Sequence, residues 1–237
     1  MQNHYLMRRK IIIPTTTAMV IILSLLFVFI QDEASAQKQD YLKCLIIVSG
    51  NEGYSEQELS KASSFRDHQL THCDYNDIRY LTDPSDPNSQ GPANLSNVEE
   101  GFDWLKTNTS ESTEVVVYIS DHAQAINNEN YFLFDDGNIS IDTVDSWLDQ
   151  VQCNQMTIVL NGERSGLGGP DLSDPGRDVI CSMGANQSFS PDLFNITRSL
   201  EDPSADTNHD GQVSYIEAYW KEVENLQGTD QDPCIWM

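Results

Sequence analysis

Met156 to Gly169 reads MTIVLNGERSGLGG, an apolar run (Met156, Ile158, Val159, Leu160) that breaks into a small, glycine-rich turn. A buried parallel strand delivers its loop to the carboxyl edge of an α/β sheet in this way, and that edge is where such sheets hold their sites. Upstream, VVVYIS (Val115 to Ser120) is a second apolar run, and its loop opens with Asp121 and His122. Two strand ends, one histidine and one polar turn have the layout of a catalytic dyad.

Working outward, the other segments alternate. Tyr41 to Val48 (YLKCLIIV) reads as a strand ending in Ser49-Gly50-Asn51, without the glycine spacing of a dinucleotide loop. Glu56 to His72 has helix formers with weak apolar periodicity. Asp77 to Thr82 reads as a short strand, and 83–94, dense in Pro, Asp, Ser and Asn, as a loop. Leu95, Val98, Phe102 and Leu105 recur at helical spacing, with Asn94 or Ser96 able to cap the start. Tyr131 to Phe134 and Ile139 to Ile141 flank an Asp-Gly turn and predict a hairpin. Val144, Trp147, Leu148 and Val151 mark one face of a helix, and Val179 to Met183 a further strand. The alternation predicts a mostly parallel sheet with helices on both faces. Trp104, Trp147 and Trp220 stand at core-facing helical positions, whereas His68, His72 and His209 read as solvated polar residues.

The segments YISDHA and IVLNGERSG resemble the two signature segments of legumain-type (hemoglobinase) cysteine peptidases, relatives of the caspases. In that family one strand ends in Asp-His-Gly or Gly-His-Gly and the next core strand in Ala-Cys-x-Ser-Gly. Aligned on Ser165 and Gly166, the nucleophilic cysteine of the family is replaced by Glu163. His122 matches the family's histidine, Asp121 the residue before it, and Ala123 stands where the family has glycine. The resemblance extends over roughly 41–200 and implies a caspase/hemoglobinase-like α/β fold. The family's specificity loop carries an arginine, and Glu52 to Ser60 contains no basic residue.

Histidine in the intact family activates a thiolate. A carboxylate is a poor nucleophile toward an amide, and Glu163 beside His122 would stabilise the imidazolium and remove the base. The expectation is a pseudopeptidase that acts as a binding or structural module, with a peptide or protein ligand at the His122 and Glu163 loops. The alternative is an active peptidase using Ser165 with His122, and Asp121 or Asp171 nearby.

A second stretch, Asp206 to Glu217 (DTNHDGQVSYIE), carries the spacing of an EF-hand calcium loop. Asp206, Asn208 and Asp210 supply oxygens at positions 1, 3 and 5, Gly211 the turn at 6, Gln212 a carbonyl at 7, Ser214 position 9 and Glu217 a bidentate carboxylate at 12. A hard cation of this size needs six to eight oxygens, which is why the ligands are spread round a sharp turn. Pro203 stops any entering helix early, and no second complete loop pairs with this one. An unpaired site of this kind is expected to bind calcium in about the micromolar to millimolar range and to fix the C-terminal helix on the domain.

Composition bounds the partners. The 237 residues carry a formal net charge of -24, which repels phosphate backbones and excludes nucleic acid while favouring cations. Arg8, Arg9 and Lys10 precede an apolar run from Ile11 to Ile30, and Ala34-Ser35-Ala36 follows. This is the pattern of a secretory signal over 1–36, the alternative being an uncleaved membrane anchor; either way the remainder is exported to the extracellular side or cell surface. The expected organisation is then 37–200 for the α/β domain and 201–237 for the calcium segment and last helix. All five cysteines (Cys44, Cys73, Cys153, Cys181, Cys234) lie beyond 36; export favours disulfides among them, with one left over and the connectivity unreadable. Asn94, Asn108, Asn138, Asn186 and Asn195 open glycosylation sequons.

Overall fold

The structure is a computed structural model that describes residues 42–49, 56–73, 75, 77–134, 136–188 and 193–237. The signal or anchor segment, residues 50–55 and the expected domain boundary at residue 37 lie outside the described residues. From Tyr41 to Met237 the chain forms one compact unit.

Six strands build its main sheet. β1 (Leu42–Val48), β2 (Asp77–Leu81), β3 (Glu114–Ser120), β7 (Gln155–Asn161) and β8 (Arg177–Cys181) are mutually parallel, in the order β2-β1-β3-β7-β8, and β9 (Cys234–Trp236) closes the far edge antiparallel to β8. Three shorter strands, β4 (Ala123–Ile126), β5 (Glu129–Phe134) and β6 (Gly137–Ser140), form a separate antiparallel sheet directly after His122. The expected hairpin is thus the second half of a three-stranded meander, and Ile141 belongs to the helix that follows rather than to a strand. β4 turns into β5 through Asn127 and Asn128, both at positive φ (54° and 68°), the conformation that a two-residue hairpin turn demands and asparagine tolerates.

The pleat explains why β1, β3, β7 and β8 read as unbroken apolar runs: alternate residues feed two different cores. On one face Leu45, Ile47, Val115, Val117, Ile119, Ile158, Leu160 and Val179 pack against α2 (Leu95–Asn108), α3 (Ile141–Leu148) and Phe132 and Phe134 of β5. On the other, Cys44, Ile46, Val48, Val116, Tyr118, Val159 and Ile180 meet α1 (Glu56–His72), α5 (Ile196–Leu200) and α6 (Tyr215–Asn225). A one-turn helix, α4 (Gly169–Leu172), follows the β7 loop. Phe65 of α1 stacks on Tyr118 of β3 at 4.7 Å, and Phe102 of α2 meets Trp147 of α3 at 5.3 Å.

Side-chain caps set the helix starts. Asn94 Oδ1 accepts the Asn97 N–H at 2.9 Å, as its position before the periodic run predicts, and Ser140 does the same for Thr143. Arg177, buried at the start of β8, donates to Asp145 at 2.7 Å and to Asp149, clamping α3 to the sheet. Residues 201–237 contribute Ala218, Tyr219 and Leu226 to the second core. Trp104 and Trp147 pack on the first core as expected, but Trp220 does not: it is 56% exposed, because Ala218 and Tyr219 already fill the buried face of α6.

Candidate functional site

The β3 and β7 ends lie side by side at the carboxyl edge. Ser120 is in register with Asn161, the Asp121 N–H donates to the Asn161 carbonyl at 3.0 Å, and the Ala123 N–H donates to the Glu163 carbonyl at 3.0 Å. The main chains therefore stay in contact past the strands. Gly162 sits between them at φ 142°, and a Cβ there would fall 2.2 Å from the Asp121 carbonyl oxygen; glycine is required at this position.

His122 and Glu163 are thus neighbours, as the sequence predicts, but the polar contact runs through the main chain. Among the described residues neither a hydrogen bond nor an ion pair joins the imidazole to the Glu163 carboxylate, and His122 Nδ1 is enclosed without a partner. Asp121 is buried, and its Oδ1 accepts the His122 N–H at 2.7 Å, so this carboxylate orders the His122 backbone. The Ala123 N–H, next to the histidine, is held by the Glu163 carbonyl.

Ser165 is 1% exposed. Its Oγ accepts the Met183 N–H at 3.0 Å and lies 3.3 Å from the Met183 carbonyl, which fixes the β7 loop to the end of β8. The other hydroxyls on this edge are also engaged: Ser49 donates to the Leu133 carbonyl at 3.3 Å, Ser120 sits 3.4 Å from the Asn161 amide, and Ser182 accepts the Gly162 N–H at 3.0 Å. Asp171 receives the Asn130 amide at 3.3 Å. Arg164, beside Glu163, takes a left-handed φ of 56°, which directs its N–H to the Gln187 carbonyl at 2.9 Å.

The second site is the loop from Asp206 to Glu217. A 3-10 turn, Pro203–Ala205, leads into it in place of a helix, and α6 leaves it. Three side chains at alternate positions fold back on the loop's own backbone. Asp206 Oδ2 accepts the Gly211 N–H at 3.0 Å, Asn208 Oδ1 the Asp210 N–H at 2.8 Å, and Asp210 Oδ1 the Gln212 N–H at 2.9 Å. Positive φ at His209 (61°) and Gly211 (89°) makes the turn. Ser214 and Glu217 close a capping box at the start of α6. The Glu217 carboxylate also accepts both the N–H and the hydroxyl of Thr207 at 2.9 Å. The Ser214 N–H and hydroxyl, then the Thr207 hydroxyl, hold this carboxyl at about 2, well below the usual range. Asp206, Asp210 and Glu217 form no ion pair among the described residues. The chemistry of this donor set suits a calcium ion: all oxygen, with a net excess of negative charge. Asp206, Asn208, Asp210 and Glu217 would hold the ion by their side chains, Gln212 by its carbonyl and Ser214 through its hydroxyl or a water.

Sequence reasoning missed two groups. Glu222, in a Lys-Glu-Val-Glu run that reads as solvated, is fully buried on α6 and accepts Arg198, Ser199, Asn195 and Asn225. His68 is buried, 6% exposed, rather than solvated, because α1 turns it toward α5; its i, i+4 spacing to His72 was the available signal. The disulfides that export favours are not formed: all five cysteines are free thiols, including Cys181 and Cys234, which stand opposite each other across β8 and β9. Cys44 and Cys181 are buried in the two cores, and burial pushes both thiols up.

No protein-family model and no curated protein matches the sequence. Among solved structures, the crystal structure of the Drosophila initiator caspase Dronc matches with a TM-score of 0.55 at 10% identity, over 84% of this chain and 79% of that one. At that identity the likeness is one of architecture: the chain has a caspase-like α/β fold.

Proposed function

We propose that this chain is an exported calcium-binding protein in which a caspase-like fold has lost peptidase chemistry and serves as a binding or structural module. The observation that carries the reading is the state of the β7 loop. Glu163 occupies the place of a nucleophile, and the nearest hydroxyl, on Ser165, is buried and bound to the Met183 main chain. An attacking oxygen needs both access and a base within hydrogen-bond reach, and Ser165 has neither at His122. Capture of the Ala123 N–H by the Glu163 carbonyl also takes away a donor for an oxyanion. Calcium enters the reading through the oxygen-only loop 206–217. It would brace α6 rather than act in a reaction, since this loop leads into the helix that packs under the sheet.

The test is hydrolysis of a broad quenched-peptide library by the full chain in calcium, beside His122→Ala, Ser165→Ala and Glu163→Cys. Inert wild type with a cutting Glu163→Cys variant supports the lost-nucleophile reading. Hydrolysis by wild type that disappears in both Ser165→Ala and His122→Ala overturns it.

A further inference from the structure

On the second face of the sheet, beside the calcium loop, whose Tyr215 hydroxyl donates to Gln69 of α1 at 2.9 Å, two histidines and one carboxylate converge. His68 and His72 lie one turn apart on α1, so both imidazoles leave the same side of the helix. Their rings stack at 5.1 Å with 29° between planes. Glu201, the C-cap of α5, brings its Oε1 to 3.5 Å from His68 Nδ1. One ligand atom from each of the three lies within 4.8 Å of the others.

From this cluster we infer a binding site for a divalent transition-metal ion, zinc foremost, held by His68, His72 and Glu201. Tetrahedral zinc with bonds of about 2.0–2.1 Å sets neighbouring donor atoms about 3.3–3.4 Å apart. The His68 to Glu201 spacing already meets that, and His72 and Glu201 are exposed and free to swing the remaining distance. His68 supplies the fixed corner. It is buried, and its Nδ1 faces the Glu201 carboxylate at 3.5 Å, longer than a normal hydrogen bond; a buried polar nitrogen is normally satisfied. Two imidazoles and one carboxylate are a borderline-soft donor set, suited to zinc and unlike the hard oxygen set of the calcium loop. The fourth position falls to water. Such an ion would tie the C-terminal end of α1 to the end of α5, five residues before the calcium loop begins.

The full chain, without a histidine tag and in detergent and excess calcium, would be titrated with cobalt(II) and the visible absorption followed. The expected result is one equivalent bound, with the intensity of a tetrahedral centre, no thiolate-to-metal band in the near ultraviolet, and displacement by zinc. His72→Ala and Glu201→Gln, both at exposed positions, should keep the circular dichroism of the wild type and lose affinity by about tenfold to hundredfold or more. Glu224→Gln, at an exposed position outside the cluster, should bind as wild type does. The inference is overturned if cobalt does not bind, if it binds with a thiolate band, or if the His72→Ala and Glu201→Gln variants bind as tightly as wild type.

Discussion

Replacing Glu222 by alanine removes a carboxylate that is 0% exposed and saturated with donors. Arg198 Nη2 reaches its two oxygens at 2.9 and 3.0 Å, the Ser199 hydroxyl at 2.5 Å, the Asn195 N–H at 3.0 Å and the Asn225 amide at 3.2 Å. Arg198 is half exposed and regains water when its partner goes, so its loss contributes little. The Ser199 hydroxyl and Asn195 N–H sit at the α5 and α6 interface and are stranded, at about 1–3 kcal/mol for each unsatisfied group. Adding the cavity gives about 3–5 kcal/mol, the range for removing one member of a buried charge network. In a domain of this size about 1 kcal/mol moves Tm by about 2–4 °C, so Glu222→Ala should melt roughly 10 °C lower. Urea unfolding in saturating calcium is the assay, with Glu224→Ala as the control; Glu224 is exposed and paired with Lys221, and its loss should stay within about 0.5 kcal/mol. A Glu222→Ala loss below about 1 kcal/mol at unchanged m-value would show that the network is not holding α5 to α6.

Three further outcomes are expected. Gly162→Ala, with a Cβ 2.2 Å from a backbone oxygen and φ of 142°, should destabilise by about 3 kcal/mol or more, whereas Gly176→Ala, at φ 87° with open space around it, should lose about 1 kcal/mol; equal losses in urea melts would refute the close approach of the β3 and β7 loops. Calcium at about 100 times its Kd should stabilise the chain by about 2.7 kcal/mol in a thermal melt, and Glu217→Gln should abolish the shift; an unchanged shift in that variant would place the ion elsewhere. In alkylation followed across pH, Cys234, whose thiol is lowered by the Cys181 hydrogen bond, should react at lower pH than an ordinary thiol, because more of it is thiolate at any given pH. Cys44 and Cys181, raised by burial, should label only on unfolding, and peptide mapping that found Cys181 labelled before Cys234 would refute this.

The parallel sheet was legible because its strands are apolar on both faces, and β1, β3, β7 and β8 announce themselves as runs. β4 and β9 were not: Ala123–Ile126 is half polar and four residues long, and Cys234–Trp236 is three, too short for a period to show. Asn127-Asn128 was a readable turn signal that sequence analysis passed over. The position of Glu163 beside His122 followed from the strand ends, but the occupation of the Ala123 N–H and the burial of Ser165 depend on loop backbone that no side-chain pattern encodes. Glu222 and His68 were hidden for a common reason. Charged and polar residues read as solvent-facing unless a partner is known, and their partners, Arg198 and Glu201, come from elsewhere in the chain.

The strand order has a consequence for how the molecule is made. β1 takes its central neighbour, β3, from about 70 residues further along, and β3 takes β7 from about 40 beyond that. As the chain is synthesised, the five buried residues Cys44 to Val48 emerge before β3, and only β2 is at hand to pair with them while the inner edge waits. A long-lived apolar strand with one open edge invites pairing with another nascent chain. The same topology that sets His122 and Glu163 side by side therefore leaves an apolar strand edge unpaired until about 70 further residues have been made.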